Sequence, residues 1–281
     1  MAARVTRALL RGWPLPSGDT VQSKEDRGRV LVVGGSRQVP GAVTLAGEAA
    51  LRAGAGKLMV VTGSDAASHL AVTLPEAAVV GVPLDEAGEM RALDAAQVDL
   101  ARQAGAVLVG PGMATACSPV SAQVARVASA LVADAGSLHA DALAPAAGRL
   151  IITPHIAEMA DLMNLRPSDV ARECVDVATE AASRFGAVVV LKGPTTWIAA
   201  PDRTLWVHEV DAPGLGTSGS GDVLAGVIAG LVARGATLAQ AAVWGVALHA
   251  RAGLMAGRHV GRLGFLAREL LPRIPRVMDS L

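Results

Sequence analysis

The chain has 281 residues, enough for one large α/β domain or two small ones, and its 25 basic and 25 acidic side chains cancel to zero formal net charge. That balance gives no support for nucleic-acid binding or for a basic membrane-facing patch. Hydrophobic residues make up 52% but aromatics only 2%, with no Tyr, so the core has to be built from Ala, Val, Leu and Ile.

The N-terminal stretch carries Arg4, Arg7 and Arg11, and the apolar residues 5–10 between them are too few and too interrupted for the core of a signal peptide. No run of about twenty apolar residues suggests a membrane span. Cys117 and Cys174 lie far apart without metal-ligand spacing and read as reduced thiols. A cytoplasmic protein is expected.

Residues 29–36 (RVLVVGGS) read as a strand entering a glycine-rich loop, and 41–54 as a helix closed by its own glycine. Further strands are predicted at 57–63 (KLMVVTG), 77–83 (AAVVGVP), 106–112 (AVLVGPG), 130–136 (ALVADAG) and 149–155 (RLIITPH), with Ala-rich helices at 91–104 and 119–127. A helix is expected at 168–185, with Ser168 as N-cap, and a strand at 187–193 (AVVVLKG). Residues 195–200 and 204–210 flank Pro201-Asp202-Arg203 and predict a hairpin at one sheet edge. Three helical segments follow, at 221–234, 238–253 and 264–271, the last stopped by Pro272. Continuous Val/Ile/Leu runs with helical connections imply a mainly parallel sheet covered on both faces, a three-layer α/β/α sandwich. No long Pro/Gly/Ser-rich linker divides the chain, so residues 1–281 are expected to form a single domain.

Several of these strands finish in small or polar groups: Gly34-Gly35-Ser36, Gly110-Pro111-Gly112, Asp134-Ala135-Gly136, Thr153-Pro154-His155 and Lys192-Gly193. The carboxyl ends of an open parallel sheet form its ligand crevice, so these segments are expected to converge. Each alone has a plainer meaning: a strand before glycine is a turn, His155 a helix-start or satisfied histidine, and Lys192 a solvated strand end.

The sharpest signal is the run from Gly214 to Leu231, in which Gly219-Ser220-Gly221-Asp222 opens directly into an apolar helix. A helix N-terminus has unpaired N–H groups and partial positive charge, which suits a phosphate. Asp222 stands where a hydroxyl approaching that phosphate would lose its proton, although an Asp there also makes a helix cap. The loop is not a Walker A motif, because the Gly-Lys-Ser/Thr ending is missing.

Together these segments, with Pro40-Gly41-Ala42, Leu51-Arg52-Ala53-Gly54-Ala55-Gly56, Ile156-Ala157-Glu158 after His155, and Leu191-Lys192-Gly193-Pro194-Thr195-Thr196, resemble the ADP/ATP-dependent NAD(P)H-hydrate dehydratases over about residues 20–270. The resemblance implies a ribokinase-like fold. It places Lys192, Gly193, Pro194, Thr195, Thr196 and Gly221 on the adenine nucleotide, and Ala42, Gly112, His155 and Asp222 on hydrated NADH or NADPH. It implies that Asp222 deprotonates the 6-hydroxyl for phosphorylation, that phosphate is then eliminated, and that Mg²⁺ accompanies ADP or ATP. Asp134 and Glu158 could order water around the metal, but carboxylates at a strand end or in a first helical turn also serve structure, and neither is assigned as a ligand. A homotetramer and a separate NAD(P)H-hydrate epimerase as functional partner are also implied. One departure stands at Val210-Asp211-Ala212-Pro213, where the family often has Asn and Ser/Thr-Gly. Two other functions share the Gly-x-Gly-Asp helix: a ribokinase-like kinase of hydroxyethylthiazole or hydroxymethylpyrimidine type, and a non-catalytic nucleotide-binding protein. Thr153-Pro154-His155 argues against the first, since those kinases tend to carry Thr-Pro-Asn. The intact base and glycine cradle argue against the second.

Overall fold

Ten strands form one sheet in the computed structural model, which describes residues 1–16, 23–114 and 118–281. In chain order the elements are β1 (Ala3–Arg4), α1 (Arg7–Gly12), β2 (Arg29–Val33), α2 (Ala42–Arg52), β3 (Lys57–Gly63), α3 (Ser64–Thr73), β4 (Ala77–Val82), α4 (Ala95–Gln103), β5 (Ala106–Val109), α5 (Ser118–Val127), β6 (Leu131–Ala133), α6 (Ala140–Leu143) and β7 (Leu150–Ile152). They continue with α7 (Ile156–Met163), α8 (Pro167–Arg172), α9 (Cys174–Phe185), β8 (Ala187–Leu191), β9 (Thr195–Ala199), β10 (Leu205–Glu209), α10 (Ser220–Ala233), α11 (Leu238–His259) and α12 (Ile274–Ser280).

The strand order is β1-β10-β9-β8-β7-β6-β5-β2-β3-β4, parallel throughout except where β9 meets β8 and β10. The order reverses between β2 and β5, the place where an open α/β sheet leaves a crevice above its carboxyl ends. Alternation along each strand separates the two cores. In β2, Val30 and Val32 face the layer containing α2, α10 and α11, while Leu31 and Val33 face the layer containing α5, α7 and α9. Both faces are covered, as the apolar runs predicted.

Helix α10 lies directly on α2. A Cβ on Gly226 would fall 2.1 Å from the Ala46 carbonyl oxygen, and one on Gly230 would fall 2.4 Å from that of Ala50. The four-residue spacing on both helices makes one ridge of glycine backbone against one ridge of alanine. This contact fixes the start of α10 beside the carboxyl ends of the strands.

Three local expectations are corrected. The helix expected at 168–185 is two, α8 and α9, broken where Glu173 leaves helical geometry (φ −120°, ψ 36°), and Ser168 does not cap it. Pro167, lacking an N–H and with φ preset, occupies the first turn of α8, so Arg166 precedes the helix and Ser168 falls inside it. Helix α11 runs to His259 past Gly253, whose missing side chain makes room for Leu215 rather than ending the helix. The segment expected at 264–271 forms 3₁₀ turns at Ala267–Glu269 and Leu271–Arg273, and Pro272 sits in the first turn of the second instead of stopping a helix.

The hairpin forms, but β1 pairs with β10 and takes the outermost position, with Trp13 stacked on Trp206 at 5.9 Å between ring centroids. Neither β1, α1 nor α3 was legible as a pattern. No helix among the described residues is long and apolar enough to cross a membrane. Cys174 is a free thiol, while Cys117 lies outside the described residues.

Candidate active site

The five strand ends converge because backbone pairing continues beyond the strands. Gly35 N–H donates to the Pro111 carbonyl at 2.7 Å, Ser36 to Gly112 at 2.9 Å, Asp134 to Val109 at 3.1 Å, Thr153 to Ala133 at 3.1 Å and Lys192 to Pro154 at 2.8 Å. A parallel bridge joins His155 to Lys192. The glycine and polar endings therefore stand side by side along one rim.

Above the rim sits the start of α10. Gly219 precedes it at φ +86°, left-handed geometry that places the following N–H groups over the crevice, and no side chain caps them. The first turn is close to Lys192: a Cβ on Gly221 would lie 3.3 Å from Lys192 Nζ and 3.8 Å from Asp134 Oδ2.

Four charged side chains meet here. Asp134, 2% exposed, accepts at Oδ1 from Thr153 Oγ1 at 2.7 Å and from Lys192 Nζ at 2.8 Å. Lys192 Nζ lies 3.8 Å from Glu158 Oε2. Burial opposes charge on Lys192, but Asp134, Glu158 and Asp222 outweigh it and hold the ammonium above its ordinary range. Lys192 is therefore no solvated strand end.

Asp222 is the third residue of α10 and has no hydrogen-bond donor among the described residues. Burial first, then Asp134 and Glu158, push its carboxyl up to about 7 against the opposing pull of Lys192. A cap would hold its carboxylate by backbone N–H groups, and that bond is missing. A half-buried carboxyl with no hydrogen-bond partner among the described residues, poised near neutrality, suits proton transfer.

His155 does serve as a helix cap. Its Nδ1 accepts from Glu158 N–H at 3.1 Å, and Glu158 Oε2 accepts from His155 N–H at 2.7 Å, a capping box that opens α7. The accepting Nδ1 leaves the proton on Nε2, and the ring is half exposed at the rim. Capping and substrate contact are compatible in this geometry.

The remaining expected residues divide between two places. Lys192, Gly193, Pro194 and Thr195 line a cavity of about 530 Å³ together with Cys174 and Trp197. Thr196 lies within β9 next to them. Ala42 and Gly112 meet farther along the rim, where a Cβ on Gly112 would be 3.0 Å from that of Ala42. Leu45 of α2 packs at Gly219, linking this second group to the start of α10.

Sequence reasoning missed a buried pair. Ser220 Oγ lies 3.0 Å from His249 Nε2, and both residues are less than a tenth exposed. Burial pushes the imidazole down to about 4, so it stays neutral. One histidine inside the apolar run of α11 was a visible signal. Its partner, 29 positions earlier, was not.

Comparisons with known proteins agree on one family. Residues 30–276 match the family profile described as NAD(P)H-hydrate dehydratase. The chain is 46% identical to an ADP-dependent (S)-NAD(P)H-hydrate dehydratase of Xanthomonas campestris, over 99% of this chain and 96% of that protein. It is 35% identical to a bifunctional NAD(P)H-hydrate repair enzyme of Moorella thermoacetica, over 98% of this chain but 54% of that protein, about half its length. The solved ADP/ATP-dependent NAD(P)H-hydrate dehydratase of Bacillus subtilis, co-crystallised with ATP/Mg²⁺, superposes with a TM-score of 0.83 at 26% identity, covering 99% and 98% of the two chains. The layering is that of the ribokinase-like fold.

Proposed function

This chain belongs to the NAD(P)H-hydrate dehydratase family, and we propose that it returns the S form of hydrated NADH or NADPH to the reduced dinucleotide at the expense of ADP, or of ATP. The observation that carries this reading is Asp222, a carboxyl without a hydrogen-bond partner among the described residues, pushed up to about 7, in the first turn of α10. Lys192 to Thr196, with Gly221, hold the nucleotide. Ala42, Gly112 and His155 hold the hydrate, with its 6-hydroxyl facing Asp222.

Asp222 takes the hydroxyl proton as the oxygen attacks the terminal phosphorus of the nucleotide; with ADP, AMP departs. The N–H groups of α10 and the Lys192 ammonium stabilise the charge on the transferred group. Phosphorylation makes the oxygen a good leaving group. The ring nitrogen lone pair then expels phosphate from C6, and loss of a proton from C5 restores the dihydronicotinamide. The net change is hydrate plus ADP to NADH or NADPH, AMP, phosphate and a proton.

Mg²⁺ is expected to enter with the nucleotide. Among the described residues no group of three or more His, Cys, Asp or Glu could hold a metal, so the donor set suits an ion carried by phosphates rather than caged by the chain. When bound it neutralises phosphate charge.

The proposal includes residues 1–281 as one catalytic domain, a homotetramer in the cytoplasm, and a separate NAD(P)H-hydrate epimerase supplying the S form. The test incubates purified protein with hydrated NADH or NADPH and ADP or ATP, follows the recovery of reduced-nicotinamide absorbance, and runs a vitamin-alcohol panel beside it. Dehydration without vitamin phosphorylation is expected. Vitamin phosphorylation without dehydration would establish the kinase instead, and light scattering decides the oligomer.

A further inference from the structure

Hydrated NADH and NADPH are dinucleotides, so placing the nicotinamide at Asp222 leaves an adenosine half to be accommodated. Toward β8 and β9 the available cavity is lined by the residues given to the co-substrate, Lys192 to Thr195. In the other direction, past Gly112 and Ala42, a cleft of about 400 Å³ opens between the start of α2 and the side of α3. That volume lies at the lower end of small-ligand sites, roughly 300–1,000 Å³, and suits one nucleoside. The two regions adjoin: Ser36, which lines the cleft, bonds through its N–H to the Gly112 carbonyl at 2.9 Å, and Gly41, which also lines it, immediately precedes Ala42.

We infer that this cleft receives the adenosine half of the hydrated dinucleotide and that Arg37 selects the 2′-phosphorylated form. The inference rests on the function proposed above. Pro40, Ala66 and Leu70 supply apolar wall for a base, while Arg37, Asp65 and His69 supply polar groups for a ribose and its phosphate. Asp65 lies in the first turn of α3, which follows β3 directly, and can accept from ribose hydroxyls.

Arg37 is held in place from three sides. Its N–H donates to the Gly88 carbonyl at 2.9 Å, Nε to Asp65 Oδ2 at 3.1 Å and one terminal nitrogen to the Glu86 carbonyl at 3.4 Å. The other terminal nitrogen has no partner among the described residues, and the side chain is half exposed. A 2′-phosphate would engage that nitrogen and draw the guanidinium from Asp65, because a dianion offers more than a carboxylate.

The experiment measures kcat/KM for both hydrates at saturating ADP in the wild type, Arg37→Ala and Ala66→Trp. Arg37→Ala is expected to lower the value for NADPH-hydrate by about tenfold or more while leaving NADH-hydrate within about twofold. Ala66→Trp, which fills the cleft, is expected to raise KM for both hydrates and leave that for ADP unchanged. Calorimetry with adenosine 2′,5′-bisphosphate, in excess ADP to occupy the other site, gives a readout independent of turnover: binding to the wild type, weakened in Arg37→Ala and abolished in Ala66→Trp. Equal treatment of both hydrates by Arg37→Ala, or bisphosphate binding that survives Ala66→Trp, would overturn the inference while dehydration by the wild type keeps the proposed function standing. A wild type that dehydrates neither hydrate would refute the function itself.

Discussion

Lys192 donates to Asp134 at 2.8 Å, joining the ends of β8 and β6 beneath the first turn of α10. The ammonium balances a carboxylate that is only 3% exposed in its side chain. Replacing it with Met leaves Asp134 buried with Thr153 as its one side-chain donor among the described residues, which costs about 3 kcal/mol. Lys192→Met should therefore lower stability in chemical denaturation and weaken nucleotide binding in calorimetry. Unchanged affinity would remove Lys192 from the nucleotide site.

Asp222→Asn preserves shape and removes the base. Turnover should fall by roughly 10² to 10⁴ with nucleotide affinity retained. A variant keeping more than about a tenth of wild-type turnover at saturating substrates would reject Asp222 as the base.

Because the carboxyl of Asp222 titrates at about 7, kcat/KM should climb through that pH and level above it. Glu158 raises this pKa and Lys192 lowers it, so Glu158→Gln should move the acid limb down and Lys192→Met should move it up. Limbs that coincide in all three proteins would mean that another group sets the profile.

Two groups that flank the start of α10, half-buried Asp222 and buried His249 of α11, oppose each other in the pH dependence of stability. Asp222 is raised from 3.8 to about 7, so its ionisation is harder in the folded state and its effect removes stability as pH rises through that window. His249 is depressed from 6.5 to about 4, so the unfolded chain binds its proton first and stability falls as pH drops from 6.5 toward 4. Each effect is on the order of 3–4 kcal/mol at full expression. In the wild type they largely cancel between pH 4 and 6.5. Asp222→Asn should expose a loss of stability toward acid, and His249→Asn a loss toward neutrality, in melting temperatures taken across that range. Parallel curves for all three proteins would contradict the account.

Gly226→Ala drives a methyl group into the Ala46 carbonyl, where its Cβ would lie at 2.1 Å. Separating α10 from α2 should cost about 3 kcal/mol and lower turnover, since the same helix carries Asp222. Gly12→Ala, with nothing within 4 Å, should change stability by no more than about 0.5 kcal/mol. Equal stabilities of the two variants would show that the helix contact yields.

The parallel sheet is written in the chain, because β2, β5 and β8 are buried on both faces and continuous apolar runs have few other uses. The sequence also marked the rim, since turns from strand ends into a crevice need glycine and polar groups at fixed offsets. Asp222 and Lys192 were legible for the same reason: each stands beside a glycine at the end of an element. Periodicity could not detect the break at Glu173 or the 3₁₀ turns after Leu266, and Pro167 and Pro272 occupy the first turns of α8 and of the second 3₁₀ turn rather than ending a helix. Nor could periodicity pair Ser220 with His249, Lys192 with Asp134 or Arg37 with Asp65, separated by 29, 58 and 28 positions. Those pairings depend on helix and strand ends brought together by the crossovers and by the glycine ridge of α10 on α2. The pKa values of the site follow from that enclosure, because burial and neighbouring charge exist only once the layers have closed.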